Sequence, residues 1–81
     1  MNCLILFKSV TYAQNAAKHL KATGIDSYMI RTPVSLSGGG CGYSLKIKCK
    51  DLDAAKRTFA KAGISFITAF RIIDRDKYCA I

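Results

Sequence analysis

The 81-residue chain repeats itself. At an offset of 39 positions Ala13 matches Leu52, Ala16 matches Ala55, Leu20 matches Phe59, Gly24 matches Gly63 and Ile25 matches Ile64; the phrases Ala-Ala-Lys and Gly-Ile occur in both halves. The repeated apolar positions recur at three- and four-residue steps, the spacing of one helix face. The glycine stands where a left-handed residue ends a helix. Each half therefore reads as strand, helix, strand. A duplicated unit of this kind predicts an α+β fold: a ferredoxin-like βαββαβ two-layer sandwich with a four-stranded antiparallel sheet and two helices on one face. The length suits one domain over residues 1–81, burying roughly 60–65% of the unfolded surface. That supports one thin core and no deep substrate chamber.

Residues 3–7 (Cys-Leu-Ile-Leu-Phe) form a short apolar run typical of a central strand. Ser9 stands at the N-cap of the first helix and Asp51 at that of the second. A strand over residues 27–31 is expected to stop at Thr32-Pro33, because proline cannot donate to a ladder. A loop of Ser, Leu and Gly follows over residues 35–40. Next come Tyr43, Leu45, Ile47 and Cys49 alternating with Ser44, Lys46, Lys48 and Lys50, the clearest strand pattern in the chain. The Lys46/48/50 row is expected on the open face of the sheet. Residues 66–73 read as the last strand, and residues 74–81 as a short polar tail.

Thirteen Lys and Arg against five Asp, with no Glu, give a net charge of +8. Such a field draws anions: acidic protein surfaces, nucleic acid, small oxyanions. No run is long enough to span a membrane and no export leader is recognisable, so a cytoplasmic location is expected. In that setting the four cysteines, at 3, 41, 49 and 79, are expected to be reduced thiols. They contain no Cys-x-x-Cys, and His19 supplies no companion ligand, so no metal site is expected. No cofactor motif is recognisable either: a strand follows the triple glycine where a dinucleotide site needs a helix.

The reactive inventory therefore reduces to thiols. In the expected fold the third strand lies antiparallel beside the first, which brings Cys41 near Lys8 and Ser9, where the first helix begins. The positive end of that helix, the charge on Lys8 and the unobstructed amides of Gly39, Gly40 and Gly42 all favour thiolate over thiol. The alternative for Cys41 is a packed, inert strand residue. Cys3 and Cys49 alternate with core positions and are expected to fill the interior as small hydrophobes. Cys79, near the end of the tail, is a candidate resolving thiol, the alternative being an unanchored tail residue.

A short strand, an Ala-rich helix ending in Gly24, Thr32-Pro33, a Ser/Gly loop and then Cys41-Gly42 before an alternating strand together resemble a known family, the small bacterial selenium/sulfur carrier-like proteins. The resemblance runs from about Leu4 to Phe70 and is most specific at Thr32-Pro33 and Cys41-Gly42. The family pattern has Pro before the Thr-Pro pair and Arg after it, where this chain has Arg31 and Val34, so Arg31 stands in for the missing cation. The resemblance implies that Cys41 holds sulfur or selenium as a persulfide or selenosulfide and relays it between enzymes. The donor would be a cysteine desulfurase or selenocysteine lyase, and the acceptor is unspecified.

Two other classes of function are compatible with the residues. One is a non-catalytic ferredoxin-like module that binds a protein or nucleic acid through its basic sheet face, or a second copy as a homodimer. RNA is disfavoured, because the third strand puts Ser44, Lys46 and Lys48, and no aromatic, on that face. The other is soft-metal chaperoning, weakened by the missing Cys-x-x-Cys.

Overall fold

A computed structural model describes residues 1–33, 36, 42–74 and 77–80. Its elements are β1 (Asn2–Phe7), α1 (Val10–Ala22), β2 (Tyr28–Arg31), β3 (Tyr43–Lys48), α2 (Leu52–Ala62), β4 (Thr68–Asp74) and β5 (Lys77–Ala80). A 3-10 turn over Cys49–Asp51 leads from β3 into α2.

Both helices end as the repeat predicts. Gly24 and Gly63 have φ of +82° and +69°, the left-handed region that an L side chain avoids. In each half the amide of the following isoleucine reaches back to the residue five earlier: Ile25 to the Leu20 carbonyl at 2.9 Å, Ile64 to the Phe59 carbonyl at 2.9 Å. These bonds satisfy a carbonyl that the helix end would otherwise leave unpaired. Leu20 and Phe59, the matched residues, are both buried. Three of the five repeated positions thus encode one helix-stopping device, used twice. At the other helix ends, Ser9 and Asp51 occupy the N-cap positions, but neither side chain makes a capping hydrogen bond.

The sheet order is β2-β3-β1-β4-β5, with every neighbouring pair antiparallel. Five strands replace the expected four. Residues 77–80, expected as part of a polar tail, form β5 along the outer edge of β4, with Phe70 opposite Ala80 and Ile72 opposite Tyr78. The pairing covers backbone groups on β4 that a four-stranded sheet would leave open.

Alternation along β1 divides the molecule into two faces. Cys3, Ile5 and Phe7 join Leu45, Ile47 and Ala69 from neighbouring strands in one core with Ala13, Ala16 and Leu20 of α1 and Leu52, Ala55 and Phe59 of α2. Both helices therefore pack on one face. The small residues Ala13 and Ala16 let α1 approach the sheet closely, and Phe7 meets Phe59 edge-on with ring centroids 5.9 Å apart. Leu4 and Leu6 point to the opposite face, yet are only 1% and 5% exposed.

One further expectation fails here. Cys3 and Cys49 are not free thiols: they form a disulfide with a Cα–Cα distance of 5.1 Å. The register places Cys3 opposite Ile47, so a straight β3 would carry Cys49 past it. The 3-10 turn begins at Cys49, and its amide bonds to the Met1 carbonyl at 3.0 Å, which folds it back over the start of β1.

Candidate functional site

The last residues of β1 and β2 converge on the first residue of β3: Phe7 and Arg31 are both register partners of Tyr43. One step before Tyr43, Gly42 closes this junction. Its carbonyl accepts the Thr32 amide at 2.9 Å. A side chain at position 42 would begin 3.3 Å from Thr32 Oγ1 and 3.4 Å from the Phe7 carbonyl oxygen, a tight fit against the Thr32 hydroxyl. Gly42 is thus required by close approach rather than by a left-handed backbone.

Thr32 is itself fixed. It is buried, and its Oγ1 lies 2.7 Å from Ser44 Oγ, one hydroxyl donating to the other. Ser44 was expected on an open face beside Lys46; it is fully buried and satisfied by Thr32. Period-two alternation assigns the face correctly, but it carries no signal for the threonine one strand away. Lys46 is half-buried and Lys48 exposed; Lys50, expected to complete their row, lies instead in the 3-10 turn after β3 ends at Lys48. Pro33 follows half-buried, and its carbonyl accepts the Leu36 amide at 2.9 Å.

Lys8 and Ser9 link β1 to α1, with Lys8 exposed and Ser9 half-buried. The Ser9 carbonyl accepts the first helical amide, from Ala13, at 3.1 Å. No acidic residue occupies the first turn of α1, so its positive end is not neutralised from within the helix. The structure therefore brings Gly42, Thr32, Pro33, Arg31, Lys8 and Ser9 to one end of the sheet. The remaining expected members, Gly39, Gly40 and Cys41 itself, lie outside the described residues.

Cys79 is not part of this group. It is an exposed free cysteine on β5, opposite Arg71, which in turn faces Cys3 at the start of β1. Three strand spacings and about five residues of strand separate it from Gly42, on the order of 20 Å.

Among the described residues no group of three or more His, Cys, Asp or Glu could hold a metal ion, and no helix is long and apolar enough to cross a membrane. No curated protein and no solved structure matches the chain. Residues 2–71 do match a family profile, and the match takes in both helices, β1 to β3 and the Cys41-Gly42 pair. The chain thus belongs to the family described as "Putative Se/S carrier protein-like".

Proposed function

We propose that this protein is a thiol carrier whose acceptor is Cys41. The Cys41 thiolate attacks the terminal sulfur of a persulfide on the donor's cysteine. A sulfur–sulfur bond forms to Cys41 as the donor's own breaks, and the donor cysteine leaves as thiolate. One sulfane sulfur has moved and no outside oxidant or reductant is consumed. With selenium as the terminal atom, the same displacement leaves a selenosulfide on Cys41. A second thiolate on the acceptor protein takes the cargo in the same way.

The observation that carries this reading is the position of Gly42. The residue bonded to Cys41 is held against the Phe7 carbonyl and Thr32, at the root of α1. A helix start of this kind carries about half a positive charge, and Lys8 adds a full one. Both favour a thiolate, and equally the anionic persulfide that replaces it. Gly39 and Gly40 are proposed to add backbone amides to the same anion. Family membership supports a sulfur or selenium relay.

Mass spectrometry provides the test. After incubation with a cysteine desulfurase and cysteine, or a selenocysteine lyase and selenocysteine, the peptide containing Cys41 is expected to gain one sulfur or selenium. Cys41→Ser is expected to abolish that gain. Equal loading of the Cys41→Ser variant would end the proposal.

A second reading draws on a groove of about 430 Å³ lined by Tyr28, Ile30, Lys46 and Lys48, which suits a binding module. Only that reading has Lys46→Glu with Lys48→Glu abolish function while Cys41→Ser leaves it intact.

A further inference from the structure

The charges of this molecule are unevenly placed. β1 and β2 end, and β3 and β4 begin, at the end of the sheet that holds Gly42, and α1 starts there. Among the described residues, Lys8 and Arg31 stand at these strand ends. The four described carboxylates lie at the opposite end, interspersed with Lys48, Lys50 and Lys77, so the Gly42 end is the one whose described cations have no carboxylate among them. Asp26 borders Asn2 and Lys48, Asp51 and Asp53 flank the start of α2, and Asp74 closes β4.

The Gly42 end also carries a groove of about 340 Å³ lined by Lys8, Tyr12, Ser65, Phe66 and Ile67. Its apolar walls are conspicuous in so charged a chain: Tyr12 is 49% exposed and Ile67 58%. Its floor is anchored, because Phe66 packs on Phe59 with ring centroids 5.9 Å apart. The Ile67 amide bonds to the Leu6 carbonyl at 2.7 Å, tying that wall to the central strand. Lys8 directly follows Phe7, the residue whose carbonyl faces Gly42. A preformed groove of mixed polar and apolar lining, with Lys8 on its wall, thus sits beside the strand end that faces Gly42.

We infer that this groove is the docking site for the enzyme that loads Cys41, and that it receives a segment of that enzyme in which an apolar side chain is flanked by carboxylates. The inference rests on the carrier reading above. Charge complementarity selects the occupant. A second copy of this chain would bring another +8 surface to the same cationic end, whereas an acidic protein segment is attracted there, where no described carboxylate stands beside Lys8 and Arg31. Tyr12 and Ile67 supply the contact area, and Lys8 steers the approach.

The test compares two sulfur donors, one that must dock and one that need not. A purified cysteine desulfurase with radiolabelled cysteine is the first; glutathione persulfide is the second. Tyr12→Ala and Ile67→Ser, both at exposed positions, are expected to slow loading from the desulfurase about tenfold, through a raised KM. Loading from glutathione persulfide stays unchanged. Lys8→Glu is expected to lower the association rate and flatten its salt dependence, while Lys50→Glu, the same charge change at the other end, does neither.

Unchanged desulfurase loading by the Tyr12 and Ile67 variants would overturn the docking site and leave the carrier reading standing. The same holds for equal slowing with both donors, since the residues would then act on the thiol itself. A parent protein that loads from glutathione persulfide but not from the desulfurase refutes the occupant. So does a dimer in sedimentation that Tyr12→Ala dissociates. If the parent takes sulfur from neither donor, the carrier reading falls and docking with it.

Discussion

The two ends of the sheet are closed by different means. Where β1 begins and β3 finishes, the chain is joined covalently by Cys3–Cys49, and the described carboxylates gather there. Where β1 finishes and β3 begins, the closure is a backbone hydrogen bond from Thr32 to Gly42 and one hydroxyl pair, with Lys8 and Arg31 at the strand ends. The first end is pinned by a covalent bond, and the groove it carries is lined by Asn2, Asp26 and Lys48 rather than set beside a cysteine thiol. The second is held by weak bonds around a glycine, next to a cysteine and the groove beside Lys8. The covalent link thus stands at one end and the proposed chemistry at the other.

That contrast can be broken first at the covalent end. Reduction, or Cys3→Ser with Cys49→Ser, removes a link between residues 46 positions apart. The loop-entropy estimate for such a closure is about 4 kcal/mol, or roughly a 20 °C fall in Tm for a domain of this size. Calorimetry with and without reductant measures it, and a shift of only a few degrees would show that this end owes its order to packing alone. Loading of Cys41 by glutathione persulfide should survive in the reduced protein wherever it remains folded.

At the other end the expected losses are smaller. Ser44→Ala or Thr32→Val leaves one buried hydroxyl without its partner and is expected to cost about 1–3 kcal/mol by denaturant titration. The double variant should cost less than the sum, because the orphaned group is then gone as well. Fully additive losses would mean that the two hydroxyls do not act as a pair. Gly42→Ala sharpens the comparison at about 1 kcal/mol, since the new methyl meets Thr32 Oγ1 at 3.3 Å and the threonine must yield. Its larger expected effect is on the rate of sulfur loading, because it shifts the root of the Cys41 segment.

Local patterns made much of this legible in advance. The repeat carried the helix stops at Gly24 and Gly63 down to the hydrogen bonds they organise, since that device is written in six consecutive residues. Alternation carried β3 and the face of Lys46. Three features were not legible because they depend on residues far apart. Residues 77–80 lack a strong pattern of their own and become a strand by pairing with the free edge of β4. Cys49 meets Cys3 through a 3-10 turn that breaks the strand period. Ser44 is buried and paired with Thr32, just past the end of β2, for which a serine between tyrosine and leucine gives no hint. For the candidate site, Lys8, Ser9, Arg31, Thr32, Pro33 and Gly42 were named from topology and motif, and the structure gathers them at one end of the sheet. The groove beside Lys8 was missed because Tyr12 and Ile67 are 55 positions apart and neither belongs to a motif.

The bond between positions 3 and 49 also decides what a protease can do. A single cut anywhere between those residues, the stretch ahead of Gly42 included, would leave two fragments strapped together and travelling as one molecule until a reductant parts them. A nick in that stretch would therefore release neither piece.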